Sequence, residues 1–232
     1  MKKINKYSYP YHWALQGFWK YAYEKPLSYF SPLLEKEDVV LDIGCGDGKL
    51  TSLIAPLVKK VIGVDHQEFP LNMAKLILKN HKVSNVEFIK EDGSNLKFEK
   101  DYFDKVICYD VIEHIPSENV DNFINNITKT LKKDGFLLLT TPNRKELKNR
   151  IFGHKLIDKH YYEYEYKELK NMFSRDYKNV RILGSYLPLI PLPKIEHFAN
   201  IFPFRIFFKF MVDIGKNHPR LSRTLILIAQ KK

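Results

Sequence analysis

Short apolar runs alternate with segments of helical polar spacing between residues 39 and 140. Each run is four or five residues long, which suits a strand buried on both faces of a sheet. This alternation predicts an α/β fold in which helices cover a parallel sheet on both sides. The predicted strands are 39–43, 61–64, 86–89, 106–109 and 136–140, and the predicted helices are 49–57, 70–80 and 119–132, the last with Ser117 as its N-cap.

The pattern changes after Pro142. A helix is predicted over 166–173, a strand over 180–183 and a last strand over 224–229, which brings the predicted strands to seven. These elements are interpreted as one α/β core, made of residues 35–185 and 221–232.

The composition fits a single domain, because 232 residues of which 44% are hydrophobic can bury one sizeable core. The formal charge of +11 suggests attraction to nucleic acid, anionic lipid or an acidic substrate, yet the lysines are dispersed, as a simple compositional bias would leave them. Cys45 and Cys108 offer neither a disulfide framework nor zinc-finger spacing. No run suggests a signal peptide or a membrane span, so a cytoplasmic location is expected.

A glycine-rich turn follows the first predicted strand directly. It reads Asp42-Ile43-Gly44-Cys45-Gly46-Asp47-Gly48, which differs from the G-x-G-x-x-G spacing of a dinucleotide site. Glycines at such a turn allow positive φ and let a ligand approach the backbone closely. The Asp42 carboxylate disfavours a phosphate and suits a ligand that carries an ammonium and a sulfonium. The alternative is a tight structural turn in some other α/β domain.

Acidic residues close each of the next three predicted strands. Asp65 follows the second strand, Asp92 follows the third, and Asp110 follows the fourth. In an open α/β sheet the ligand lies at the carboxyl ends of the strands, so these acids and the glycine turn are expected at one site. Over roughly residues 35–145, this order resembles the class I S-adenosylmethionine-dependent methyltransferases.

The resemblance implies a fold, a cofactor and a binding site. The fold is a Rossmann-like, doubly wound α/β sheet of seven mostly parallel strands with an antiparallel last strand. The cofactor is S-adenosylmethionine, with S-adenosylhomocysteine as the product, and Asp65 would accept both ribose hydroxyls. The cofactor-binding residues implied in this way are Asp42, Gly44, Cys45, Gly46, Gly48, Asp65, His66, Asp92, Gly93, Tyr109 and Asp110.

Two further segments resemble the branch of these enzymes that methylates small molecules such as quinone precursors. They are Glu113-His114-Ile115 and Thr141-Pro142-Asn143. Branches that methylate nucleic-acid bases fit less well, because Cys108-Tyr109-Asp110-Val111 stands where their proline-containing motif belongs. No catalytic metal is predicted, since Pro142-Asn143 lacks the second acid of the catechol-type enzymes.

His114 is the first candidate for a catalytic base. Its ordinary pKa near 6.5 suits proton abstraction at neutral pH, if the acceptor must lose a proton. The same histidine could instead cap the following helix or shape the cofactor pocket. His12 and His160 are the next candidates.

Two aromatic-rich segments flank the core. One is an N-terminal helical cap over 1–34, and the other is a helical insertion over 186–220 whose segment 195–211 carries six phenylalanines. Arg205, Lys209 and Asp213 form one polar stripe on this helix, and the remaining surface is apolar. The insertion is interpreted as a lid over a hydrophobic acceptor, with a dimer contact or a peripheral membrane contact through 195–215 as alternatives.

The sequence therefore predicts a methyltransferase that acts on O or N of a small acceptor, apolar or lipid-linked. One alternative keeps the fold and makes RNA or another macromolecule the acceptor. The other is a non-catalytic subunit that binds S-adenosylmethionine and activates a partner, although the retained acids and glycines argue against loss of cofactor binding.

Overall fold

A computed structural model describes residues 9–190 and 198–232. Within these ranges seven strands form one sheet, and helices cover both of its faces. The strands are β1 (Val39–Ile43), β2 (Lys60–Asp65), β3 (Val86–Lys90), β4 (Phe103–Tyr109), β5 (Leu131–Pro142), β6 (Tyr177–Ser185) and β7 (Thr224–Lys231). The helices are α1 (Gly17–Phe30), α2 (Lys49–Ile54), α3 (Glu68–Asn80), α4 (Val120–Thr130), α5 (Leu147–Phe152), α6 (Tyr166–Ser174) and α7 (Phe204–Gly215).

The strand order is β3-β2-β1-β4-β5-β7-β6. Strands β1 to β5 pair in parallel, and β7 is antiparallel to both of its neighbours, β5 and β6. The predicted fold class, including the antiparallel last strand, is confirmed. Because the order reverses between β1 and β4, the carboxyl ends of these two strands border the crevice in which ligands of such sheets bind.

Alternate residues of the central strands pack on opposite sides of the sheet. Leu41 of β1 belongs to the core beneath α4 and α6, where Phe123 and Phe173 are fully buried. Val40 belongs to the core on the other face, with Phe30 of α1 and Ile54 of α2. Both faces of a parallel sheet are thus covered, which explains why the strands read as continuous apolar runs.

Several predicted details differ from the structure. Helix α4 begins at Val120 after a short 3-10 turn over Ser117–Asn119, so Ser117 is not its N-cap. Helix α5 was not predicted, since it is only six residues long and buries none of them. The predicted aromatic helix over 195–211 begins outside the described residues, and its described part forms a helix only from Phe204.

Helix α7 packs against α1 rather than lying over the sheet edge as a separate layer. Phe208 is fully buried beside Phe18 of α1, with ring centroids 5.3 Å apart. The predicted polar stripe is not simply solvated, because Asp213 accepts a hydrogen bond from the Tyr21 hydroxyl at 2.6 Å and pairs with Lys25 at 2.5 Å. The stripe therefore helps to attach α7 to α1.

Both cysteines are buried and free, as expected from their positions. Within residues 9–190 and 198–232, no helix combines the length and apolarity needed to cross a bilayer.

Candidate active site

A cavity of about 1100 Å³ opens at the carboxyl ends of the parallel strands. One part of its wall, here called the glycine-loop half, follows β1, β2 and β3. The other part, here called the β5 half, consists of lining residues from 142–163, 185–186 and 223–224, next to β5, β6 and β7. Residues after β4 lie between the two. The predicted residues that line the cavity are Asp42, Gly44, Cys45, Gly46, Asp65, His66, Asp92, Gly93, Tyr109, Asp110 and His114.

The glycine turn has the backbone that its sequence requires. Gly44 and Gly46 have φ values of +71° and +52°, in the region that side chains disfavour. The N–H groups of Gly44 and Cys45 both donate to the Val64 carbonyl, which ties the turn to β2. A Cβ on Gly44 would lie 2.4 Å from Val111, whereas a Cβ on Gly46 would meet nothing closer than 3.9 Å. The space over Gly46 is therefore open for a ligand to approach the backbone.

Gly48 has a packing role that the sequence analysis did not predict. It does not line the cavity, and it precedes α2 with a φ of +72°. A Cβ at this position would lie 2.8 Å from the Cβ of Ala74 on α3 and 3.1 Å from Phe88. The third glycine of the turn thus permits close packing of α2 against α3 and β3, and its contact with the cofactor stays a prediction.

Asp65 is held in a fixed orientation at the end of β2. Its carboxylate accepts the Gly46 N–H at 3.0 Å and the Gln67 N–H at 2.8 Å, and only 11% of its side chain is exposed. A carboxylate offers about four acceptor sites, so two backbone donors leave capacity for hydroxyl groups of a ligand. The glycine turn and the acid therefore form one rigid unit that fits a ribose diol.

The third strand exit is organised by Asp92. Its carboxylate accepts the Ser94 N–H at 2.8 Å, and the Ser94 carbonyl accepts hydrogen bonds from Asn122 and Asn126 of α4. Gly93 allows close packing, since a Cβ there would lie 2.9 Å from Ile43 of β1. The turn after β3 is consequently fixed against β1 and α4, with Asp92 at the cavity wall.

Asp42 carries less negative charge than the sequence analysis expected. The side chain is buried, and it accepts a hydrogen bond from the Thr51 hydroxyl at 2.6 Å. Burial raises the pKa of Asp42 to about 7, against an opposing effect of the Thr51 hydrogen bond. At neutral pH this acid therefore carries only part of a negative charge, which weakens the argument that Asp42 alone repels phosphate.

The fourth strand ends in two side chains that tie other elements together. The Tyr109 hydroxyl donates a short hydrogen bond to the Tyr23 carbonyl of α1. Asp110 is exposed to the cavity, has a φ of +53° and accepts a hydrogen bond from the Thr140 hydroxyl at 2.6 Å. This contact joins the exits of β4 and β5.

The segment before α1 covers the glycine turn. The backbone N–H of His12 donates to one Asp47 carboxylate oxygen at 2.8 Å, and the His12 ring nitrogen lies 3.1 Å from the other. The Trp13 indole donates to the Asp47 carbonyl at 2.9 Å. Sequence reasoning missed Asp47, which stands inside the glycine turn but acts here as the attachment point for a segment 34 residues earlier.

Three histidines and two buried acids lie close together beyond β4 and β5. They are His114, His154, His160, Glu113 and Glu163. Glu163 is buried and accepts contacts from His154 Nε2 and His160 Nδ1, both at 2.8 Å. Burial alone would raise the pKa of Glu163, but the histidine and backbone hydrogen bonds outweigh it and lower that pKa. The His160 ring packs edge-on against His114 with centroids 4.7 Å apart. Glu163 was missed as a functional residue because no motif marks it, although His154, Ile157 and His160, which bond to it, are all within nine residues.

His114 itself lies at the junction of the two halves. Its Nδ1 is 3.0 Å from the Lys159 carbonyl, so the neutral ring carries its proton on Nδ1 and leaves Nε2 as the acceptor. Partial burial lowers the pKa of His114, although the Lys159 hydrogen bond opposes this. The ring is thus held in the neutral form that a base requires near pH 7.

One donor atom each from Glu113, His114 and His160 lies within 4.8 Å of the other two. A carboxylate and two imidazoles are a donor set that several transition metals accept. No metal was predicted from the sequence, because Pro142-Asn143 lacks the second acid of the catechol-type enzymes and His160 is distant along the chain from Glu113 and His114.

The aromatic insertion contributes little to the cavity wall. Of its described residues, 186–190 and 198–220, Tyr186 is the one that lines the cavity. Phe18, Trp19 and Tyr23 of α1 line it directly, and α7 lies behind α1. Among the described residues, the N-terminal cap therefore contributes more of the cavity wall than the insertion, which the sequence analysis interpreted as a lid.

The sheet order, the glycine turn and the acids at successive strand exits define the class I S-adenosylmethionine-dependent methyltransferases. A family model described as a methyltransferase domain matches residues 34–177, more than half of the chain. The chain belongs to this methyltransferase family, whose cofactor is S-adenosylmethionine.

Similar proteins agree with this membership. The chain is 32% identical over 125 residues to a ubiquinone biosynthesis O-methyltransferase of Rickettsia canadensis, a match that covers 54% of this chain and 50% of that protein. A homologue of the same name from Pelagibacter ubique is 33% identical over 114 residues, 49% of this chain and 45% of the homologue. The chain thus spans about half the length of the curated relatives it matches.

Solved structures share the fold. The N-methyltransferase NodS of Bradyrhizobium japonicum, in complex with S-adenosylhomocysteine, superimposes with a TM-score of 0.66 and 13% identity, covering 97% of this chain and 94% of NodS. A SAM-dependent methyltransferase from Archaeoglobus fulgidus gives a TM-score of 0.65 at 21% identity, covering 90% and 92% of the two chains.

Proposed function

We propose that the protein transfers a methyl group from S-adenosylmethionine to O or N of a small acceptor that is apolar or lipid-linked. The observation that carries this proposal is one cavity whose wall contains the glycine turn, Asp65, aromatic side chains of α1 and His114. The similarity to ubiquinone biosynthesis O-methyltransferases supports a small acceptor and favours oxygen as the methylated atom.

S-adenosylmethionine supplies a methyl group that is already activated on a sulfonium, so the protein's tasks are orientation, exclusion of water and proton removal. Gly44, Gly46 and Asp65 would hold the nucleoside part against the ends of β1 and β2. Phe18 and Trp19 would exclude water on the acceptor side.

His114 would act as the base when the acceptor is a hydroxyl group. Its Nε2 is the free acceptor, because Nδ1 bonds to the Lys159 carbonyl. His160 is the alternative base, since the Glu163 carboxylate fixes its Nδ1 in the same manner. In both cases a hydrogen bond at Nδ1 sets the tautomer and directs the basic nitrogen away from that contact.

Replacement of Asp65 tests the cofactor half of this proposal. Asp65→Ala removes a charged acceptor for the ribose hydroxyls and should weaken binding of S-adenosylhomocysteine by about 2–3 kcal/mol, measured by calorimetry. Asp134→Ala is a matched control, because Asp134 is exposed, pairs with Lys178 of β6 and does not line the cavity. Equal affinity in wild type and Asp65→Ala, or wild-type preference for a nicotinamide dinucleotide, would contradict the proposal.

The exposed part of the insertion supports a peripheral membrane contact at the cytoplasmic leaflet. Six large apolar side chains between 198 and 210 are about half exposed or more, and Phe202 reaches 73%. Arg205 lies among them, and anionic lipids attract such cations. The six side chains are Phe198, Ile201, Phe202, Phe204, Ile206 and Phe210.

This contact is testable by flotation with liposomes that contain anionic lipid. The wild type should float with these liposomes, and the double variant Phe202→Ser, Ile206→Ser should not. The control variant Leu57→Ser, Leu76→Ser, which changes two exposed apolar residues elsewhere, should float like the wild type. A different result would assign the surface to a second subunit: the wild type does not float but forms a concentration-dependent dimer, and the variant Phe202→Ser, Ile206→Ser does not form that dimer.

A further inference from the structure

The charges that line the cavity are divided between its two halves. The described wall of the glycine-loop half contains several acids, from Asp42 to Asp92, and no lysine or arginine. All lysine and arginine side chains of the described wall belong to the β5 half. They are Lys148, Lys155, Lys159 and Arg223.

The β5 half also contains two acids. Glu163 is buried and hydrogen-bonded to His154 and His160, and the other acid is Glu146. Neither Lys148 nor Lys155 lies within 4.0 Å of a carboxylate of residues 9–190 or 198–232. Lys155 is exposed and Lys148 is half-buried, so neither side chain is buried, and both residues line the cavity.

The sheet topology places these lysines where the acceptor must enter. The cofactor occupies the glycine-loop half, at the ends of β1 and β2, so the space beside β5 remains for the acceptor. Aromatic and apolar side chains share that space, namely Trp19 on α1, with Ile157, Tyr161 and Tyr186. An acceptor that carried only apolar groups would leave Lys148 and Lys155 without a carboxylate partner among residues 9–190 and 198–232.

Resting on the proposed function, we propose that Lys148 and Lys155 form an anion subsite for the acceptor. The acceptor then combines a ring or alkyl body, which contacts the apolar side chains, with a carboxylate or phosphate that the two ammonium groups bind. Such a subsite would orient the acceptor with its anionic end toward β5 and its reacting atom toward His114. It would also exclude neutral analogues of the same size.

The test uses three probes that differ in charge: 3,4-dihydroxybenzoate, its neutral amide, and catechol monophosphate. Each is titrated by calorimetry into the full-length protein saturated with S-adenosylhomocysteine. Two partly exposed ion pairs should make the benzoate or the phosphate bind about tenfold tighter than the amide. This preference should decline as salt is raised, because exposed charges are screened. The tighter of the two anions identifies a carboxylate or a phosphate as the natural group.

Lys148→Gln with Lys155→Gln should abolish the preference for the anions while the amide's affinity changes little. Lys75→Gln with Lys170→Gln lowers the net charge equally at exposed positions outside the cavity and should retain the preference. Equal binding of acid and amide by the wild type, no binding of any probe, or a preference that survives in the first variant would each overturn the proposal. Binding of S-adenosylhomocysteine, measured first on the same samples, separates such a result from failure of the proposed function.

Discussion

The glycine-loop half of the cavity comes from one stretch of chain, residues 42–94, whereas the β5 half combines residues 142–163, 185–186 and 223–224. In the first region Asp65 and Asp92 each accept a backbone N–H two residues further on, and Asp65 also accepts the Gly46 N–H of the same stretch. In the second, the Lys159 carbonyl and the Tyr161 N–H bond to His114 and Glu113, which lie far earlier in the chain. Apart from the attachment of His12 to Asp47, the first region is therefore built within one stretch of chain, whereas the second depends on long-range packing.

This difference explains where the two regions tolerate change. The cofactor is common to the family, so the strand exits that hold it need not change with the acceptor. The acceptor differs between members, and a wall assembled from loops and an added helix can vary without disturbing the sheet.

The largest expected effect concerns the support of the acceptor side. Phe208 is fully buried between Phe18 and Tyr186, so Phe208→Ala should lower the free energy of unfolding by about 3–5 kcal/mol. Phe210→Ala, at an exposed position of the same helix, should change it by less than about 0.5 kcal/mol. Urea denaturation measures both variants. A stable Phe208→Ala protein would show that α7 is not part of the core and that the long-range account of this side is wrong.

A smaller effect is expected in the glycine-loop half, at Asp42. Its folded pKa of about 7 lies above the ordinary 3.8, so the folded state binds an extra proton between these values and stability falls as pH rises through this window. About three pH units correspond to about 4 kcal/mol. Asp42→Asn keeps an acceptor for the Thr51 hydroxyl and should be a few kcal/mol more stable than wild type at pH 8, with little gain at pH 4. An equal gain at both pH values would show that the buried charge is not the cause.

The smallest effect is a change in the pH dependence of kcat, and it tests the role of His114 at the junction of the two regions. Because burial lowers the pKa of His114, kcat should fall only when pH drops below about 6.5 and the ring becomes protonated. His114→Gln should remove this acid limb, and His160→Gln should retain it. The opposite pattern would identify His160, held by Glu163, as the base.

The strands and the cofactor site were largely predictable from sequence. The first strand, 39–43, was predicted with its observed limits, because a buried strand ending in a glycine turn has a strong local pattern. Asp65 and Asp92 could be placed at one edge because all parallel strands present their carboxyl ends on the same side. Gly48 was predicted to bind the cofactor because its spacing matches the turn, and only its packing distance to Ala74 reveals the structural role that it also has.

Apolar periodicity predicted the alternating strands and helices, because such patterns act over a few residues, and the glycine turn with the acids after the strands carried the resemblance that implied the cofactor. The anchoring of His12 by Asp47, the position of α7 behind α1 and the location of the cavity's lysines on the β5 side could be seen only in the folded chain. These contacts join residues that are far apart in the chain, and their free energy depends on burial and distance after folding. Such pairings leave no local pattern, so the acceptor side could not be predicted from the sequence alone.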